Sequence, residues 1–177
     1  MNISIFAEDA GTTRKETDIP FKEYYQGSFL TISSLADQLD GYGDVQLHIL
    51  SEQFGLVRGE ETVDKYLPQD QAASEDEGEV LSTVLERASD SDAVVILLSS
   101  SRFDSLVVSN WEQIVDRAKP DSVWCLGAAR SSLDAIDFDP LRQKNCGIVT
   151  YERVGVARLS NEVREELLEE VQQRQSK

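Results

Sequence analysis

Six residues of this 177-residue chain are best placed to do chemistry: the adjacent carboxylates Glu8 and Asp9, the hydroxyl-bearing Ser51 and Tyr66, and the arginines Arg102 and Arg130. Two neighbouring carboxylates suit an acid/base pair or a grip on a ribose. In an acid-rich chain they are also ordinary surface. Ser51 follows an apolar run at 45–50, where a strand-end hydroxyl faces a ligand. It lacks the G-x-S-x-G elbow of a hydrolase nucleophile. The single histidine, His48, alternates against Leu47 and Ile49 and reads as a sheet-face residue, so a Ser-His-acid triad is not supported.

The arginines gain meaning from the elements around them. Apolar alternation places strands at 3–7, 45–50, 93–98, 122–126 and 147–151. Between them run helical patterns at 21–39 (open to a break at Gly27), at about 103–118, and from near Ser160 with Val163, Leu167 and Val171 inward. Residues 51–59 read as loop and 60–66 as a short helical turn. The acidic run 70–79 reads as a solvated loop, in which Ser74 and Glu77 form a capping-box pair. It opens a helix with Val80, Leu81, Val84, Leu85 and Ala88 inward. The run at 93–98 is apolar on both faces, as a central parallel strand requires. Strand and helix alternate without a long hairpin signal. This predicts one three-layer α/β domain with a mainly parallel five-stranded sheet and helices on both faces.

Ligands of doubly wound sheets bind beyond the carboxyl ends of the strands. Every strand exit here is followed by a cation: Arg14 and Lys15, Arg58, Arg102 after the serines 99–101, Arg130 after Gly127, and Arg153. Arginine offers bidentate geometry to phosphate or carboxylate. Residues 127–132, with Ser131 and Asp134 as a capping pair, would add helix-start N–H groups. The expectation is an anionic ligand held by Arg102 and Arg130 and hydrogen-bonded by Ser51 and Tyr66: a nucleoside, a nucleotide or RNA. The competing expectation is a non-catalytic interaction or accessory protein whose arginines pair with surrounding acids. Tyr24 and Tyr25 read as helix-packing residues, and Trp111 and Trp124 as core.

The net charge of −16 comes from 33 acidic and 17 basic residues spread through the sequence. Spread acidity of this kind is a halophile-type surface, with salt screening the self-repulsion. Local basic placement then says more about ligands than the total does. No apolar run approaches the ~18 residues of a membrane span. With no basic leader and two cysteines in apolar runs, Cys125 and Cys146, the sequence reads as cytoplasmic. Two thiols and one histidine are too few to close a metal site. No Walker loop or G-x-G-x-x-G follows a strand, so no cofactor is implied. The apolar helix faces leave room for a homodimer.

Ile49-Leu50-Ser51, Gly55-Leu56 and Tyr66 resemble the hallmark "ILS, two or three residues, GL, then Tyr" of a family of small α/β domains. That family is similar to parts of archaeosine-synthase-type RNA-modification enzymes and, more distantly, to peroxide stress proteins. Tyr24-Tyr25-Gln26-Gly27-Ser28-Phe29 resembles the segment opening its first helix, so the likeness covers residues 1–66. It implies an α/β fold and a nucleoside- or RNA-linked role. The family carries a Cys and a Lys just after the first strand. Here Ala7, Glu8 and Asp9 stand there, with Lys15 farther along, and Leu67 replaces the acid usual after the tyrosine.

Overall fold

The computed structural model describes residues 1–67, 77–153 and 159–177. Six strands form one sheet: β1 (Asn2–Glu8), β2 (Asp44–Ser51), β3 (Gly55–Arg58), β4 (Ala93–Leu97), β5 (Val123–Ala128) and β6 (Gly147–Glu152). Their order is β3-β2-β1-β4-β5-β6. Every neighbouring pair is parallel except β2 and β3. The five expected strands are present, and a sixth corrects the count. It lies in the segment read as loop, where a three-residue turn, Glu52–Phe54, returns the chain antiparallel to β2. Gly55 makes this possible with φ +78°, a left-handed conformation that glycine adopts without a Cβ penalty.

Alternation along the strands divides two cores. Ile3, Ile5 and Ala7 face one side, with Phe21, Phe29, Leu35, Leu39, Leu167 and Val171 from α1 (Phe21–Tyr24), α2 (Phe29–Asp40) and a later helix, Asn161–Gln175. Phe6 faces the other side, with Val94, Ile96 and Trp124 of the sheet and Val80, Val84, Phe103 and Ile114 of the covering helices. Those helices are α3 (Glu77–Asp90), α4 (Ser100–Phe103) and α5 (Trp111–Arg117), followed by α6 (Arg130–Asp134) and α7 (Asp139–Gln143); Asn161–Gln175 is α8. All five residues of β4 are buried. At about 1.5–3 kcal/mol for each large aliphatic side chain withdrawn from water, this central strand anchors both layers. The three-layer α/β architecture with helices on both faces is therefore present.

Helix boundaries follow local chemistry. The expected 21–39 helix divides at Gly27, whose φ is +63°. The expected 103–118 helix is three pieces: α4, a π-helical turn at Asp104–Val108, and α5. In the π turn the Ser109 amide donates to the Asp104 carbonyl at 3.0 Å. The Ser109 hydroxyl donates to the same oxygen, and Asn110 Nδ2 donates to the carbonyls of Ser105 and Leu106. Serine and asparagine compete with helical hydrogen bonds in this way and break the run. The α8 start is as expected, with Ser160 Oγ accepting from the Val163 amide. The Ser131–Asp134 cap is not realised, because α6 begins at Arg130 without a side-chain cap. The loop up to Asp76, and Ser74 of the expected capping pair, lie outside the described residues.

Candidate functional site at the carboxyl edge of the sheet

The chain leaves β1 toward one edge and later returns through α3 to β4 on the other side of β1, so β1 and β4 flank the topological switch point. Glu8 fills this position. Its Oε1 accepts from the Ser99 amide at 3.1 Å and the Ser99 hydroxyl at 2.7 Å, and Arg102 Nε lies 3.4 Å away. The protein's own carboxylate thus takes the N–H and guanidinium donors that an external anion would seek.

Asp9, Ser51 and Tyr25 form a second unit beside it. Ser51 is fully buried, and its Oγ accepts from the Tyr25 hydroxyl at 3.0 Å and from the Phe54 amide at 3.1 Å. The Asp9 carboxylate is hydrogen-bonded to Ser51 and to the Glu52 amide, the latter at 3.1 Å. A serine hydroxyl has one donor and two acceptor positions, and both acceptor positions of Ser51 are filled. Burial pushes the Asp9 carboxyl above its ordinary value against these hydrogen bonds, and pushes the Tyr25 phenol up to about 12. The unit ties the ends of β1 and β2 to α1.

Tyr66 stands elsewhere. Its ring packs on Phe21 and Phe54, and its hydroxyl donates to Glu61 Oε2 at 2.7 Å. Burial and that bond raise the Tyr66 phenol. Burial also acts to raise Glu61, but donors from Lys65, Tyr66 and the Arg58 amide outweigh it and hold the carboxyl low.

The strand-exit cations do not converge. Arg58 belongs to β3, and the hairpin carries it back to pair with His48 in register and with Glu60 by charge. Arg14 and Lys15 are exposed. Arg130 is 77% exposed and lies 4.0 Å from Asp134 on its own short helix. Arg153 lines a crevice of about 60 Å³ with Glu8, Asp9 and Ser28, room for little beyond water. Arg102 is the expected site residue that also lines a ligand-sized space.

That space is a cleft of about 620 Å³ between α3 and the π turn, within the range of small-molecule sites. Its lining includes the apolar side chains of Leu50, Val80, Leu81 and Leu106. Its polar lining includes Arg102, Ser105, Ser109 and Asn110, with Ser101 and Glu77. Sequence reasoning passed over Ser105, Ser109 and Asn110. Their signal was the presence of two serines and an asparagine inside an apolar helical pattern. Ser51, Tyr66 and Arg130 do not line this cleft.

His48 is buried in the sheet face and stacked on Phe6 at 4.6 Å, with Nε2 lacking a hydrogen-bond partner. Burial, then the charges of Arg58 and Arg87, lower its pKa to about 3. Tyr24, Tyr25, Trp111 and Trp124 pack as expected. Both cysteines are buried free thiols, and burial raises Cys125 to about 12. Among the described residues no group of three or more metal-ligating side chains forms, and no helix is long and apolar enough to cross a membrane.

With the antiparallel edge strand set aside, the sheet order is 2-1-3-4-5, which defines a doubly wound α/β domain. No family model and no curated protein matches the chain. Among solved structures it is similar to a flavodoxin from Streptococcus pneumonia TIGR4, at 8% identity and TM-score 0.45 over 99% of both chains. A diflavin flavoprotein A3 from Nostoc sp. is 13% identical with TM-score 0.43, over 99% of this chain and 91% of that one. A flavodoxin-like domain from a Synechococcus sp. protein is 12% identical with TM-score 0.41, over 98% and 96%. Likeness at these scores carries no argument about this chain, whose class rests on its own strand order.

Proposed function

We propose that this protein is a small-molecule binding domain that takes a nucleoside-class ligand in the cleft between α3 and the π turn. The observation that carries the reading is the composition of that cleft. Four aliphatic side chains supply apolar surface, while Arg102, Ser105, Ser109 and Asn110 supply polar groups to the same lining. An apolar body with a polar edge fits such a lining, and a nucleobase with its ribose has that form. The π turn supports the reading, since such turns recur at functional sites. The resemblance of residues 1–66 to domains of RNA-modification enzymes points to the same ligand class by analogy.

A catalytic role gains no support from the carboxylates. Glu8 is held by Ser99 and Arg102, Asp9 by Ser51 and Glu52, and neither lines the cleft. Doubly wound sheets of this order can hold a flavin mononucleotide at the switch point. Here the phosphate would meet Glu8 and Asp9 at the end of β1, so that cofactor does not fit. The accessory-protein reading is favoured by one observation: Arg58, Arg102 and Arg130 each lie beside an acid of this chain.

Titrating 15N-labelled protein with a panel of nucleosides separates the two readings. Binding in the cleft shifts amides at 80–81 and 105–110, and Leu81→Trp, which fills the space from a half-buried position, weakens it at least tenfold. An unchanged spectrum across the panel, or shifts confined to another face, overturns the binding reading in favour of the accessory one.

A further inference from the structure

The side-chain hydrogen atoms of Ser105, Ser109 and Asn110 in the cleft's lining are already committed, which constrains what binds there. Ser105 Oγ donates to the Arg102 carbonyl at 3.2 Å, and Ser109 Oγ to the Asp104 carbonyl at 2.9 Å. Asn110 Nδ2 donates to the carbonyls of Ser105 at 3.3 Å and Leu106 at 2.9 Å. These bonds hold the π turn together, so a ligand acceptor competes with the fold for each of them. What the three side chains retain is oxygen: two hydroxyl lone-pair sets and the Asn110 carbonyl. Among the described residues, Ser101 is the lining hydroxyl without a side-chain hydrogen bond, and it is exposed.

Charge points the same way. Arg102 Nε lies 3.4 Å from Glu8 Oε1, and that carboxylate also accepts two bonds from Ser99. A phosphate brought to Arg102 faces Glu8 across the same guanidinium, and Glu77 adds a second carboxylate to the lining. Like charges so placed repel, and in a chain of net charge −16 no surplus of cations offsets them.

We propose that the cleft recognises its ligand through the ligand's own donors: an unphosphorylated nucleoside carrying an exocyclic amine. This rests on the preceding reading that the cleft binds nucleosides, and it replaces the anionic ligand expected from the strand-exit arginines. A ligand without the amine leaves the protein's oxygen lone pairs unmatched, whereas adding a phosphate adds repulsion.

Isothermal titration of the intact protein with adenosine, purine riboside (the analogue lacking the 6-amino group) and adenosine 5′-monophosphate tests it at low salt, where charge effects are largest. The expected result is adenosine tightest, with each of the other two at least tenfold weaker. Adenosine monophosphate binding as tightly as adenosine, or more so, overturns this inference and leaves the nucleoside reading standing. Purine riboside matching adenosine removes the amine requirement and likewise overturns it. Absence of heat and of spectral change with all three overturns the nucleoside reading itself.

Discussion

Ser51 shows how one hydroxyl can look functional from its position and be structural in its bonding. It stands at the carboxyl end of β2, yet it is buried and its acceptor positions are taken by Tyr25 and Phe54. Ser51→Ala strands a buried phenol and a buried amide. Each group left unpaired costs about 1–3 kcal/mol, and solvent or rearrangement recovers part of the sum. The expected loss is about 2–3 kcal/mol in urea unfolding, with adenosine affinity in the α3 cleft unchanged. A ligand-facing Ser51 would give the reverse: near-native stability and lost binding. His48 gives a second test at this scale. Its folded pKa of about 3 lies below the ordinary 6.5, so the unfolded chain binds the extra proton between those values. Stability contributed by the neutral ring is present above pH 6.5 and drains as pH falls toward 3. Between pH 6.5 and 5 the loss that follows from the His48 shift alone is roughly 1.5 kcal/mol. Asp9 has the opposite sign: its raised carboxyl contributes below its unfolded pKa and loses that contribution as pH rises. Stability measured against pH for His48→Phe, which keeps the stack on Phe6, should fall less steeply than the wild type's as pH drops through that window. A wild-type slope in the variant would place the proton elsewhere.

Elements differ in how much of themselves they write into the chain. β1 and β4 were readable because strict alternation and an unbroken apolar run are what a central parallel strand needs on both faces. The break in the first helix was readable at Gly27, since a residue with positive φ punctuates a helix locally. β3 was not, because four residues with one glycine carry no period, and its evidence is the pairing with β2 across a three-residue turn. The same reason hid where the cations end up. Five strand exits each followed by a cation is a one-dimensional fact. Whether those cations meet depends on where hairpins and helices carry them, and β3 carries Arg58 away while α6 holds Arg130 in solvent. Arg102 does meet Glu8 at the switch point, as an ion pair within the chain. The partner of Glu8 was harder to read, because Ser99 stands ninety-one residues away in the chain. The π turn was legible only as an irregularity, with Ser105, Ser109 and Asn110 interrupting a helix they later prove to have reshaped.

At the scale of the whole molecule the decisive quantity is charge. Thirty-three acids against seventeen bases leave −16 on one domain. The acids are displayed on several faces: Glu165, Glu166 and Glu169 are exposed on α8, Asp37 and Asp40 on α2, and Glu86 and Asp90 on α3. Salt acts in two opposing ways. It weakens the exposed ion pairs, such as Arg142–Asp139 and Lys65–Glu61, each worth at most about 1 kcal/mol. It also screens the repulsion among the surplus acids, as the Debye length falls from about 10 Å at 0.1 M to about 3 Å at 1 M. Acids outnumber bases nearly two to one, so the repulsion outweighs the pairing and stability should rise with salt. The expected increase in Tm between 0.1 M and 2 M KCl is on the order of 5 °C, since 1 kcal/mol moves a chain of this size by about 2–4 °C. Potassium chloride isolates screening from the exclusion effects of sulfate or phosphate. Replacing Glu165, Glu166 and Glu169 by glutamine should raise Tm at 0.1 M and reduce the slope with salt, because it removes charge from a face without touching Leu167 or Val171. A Tm that falls as salt is added would show the ion pairs outweighing the surplus, and would remove the halophile-type reading of this surface.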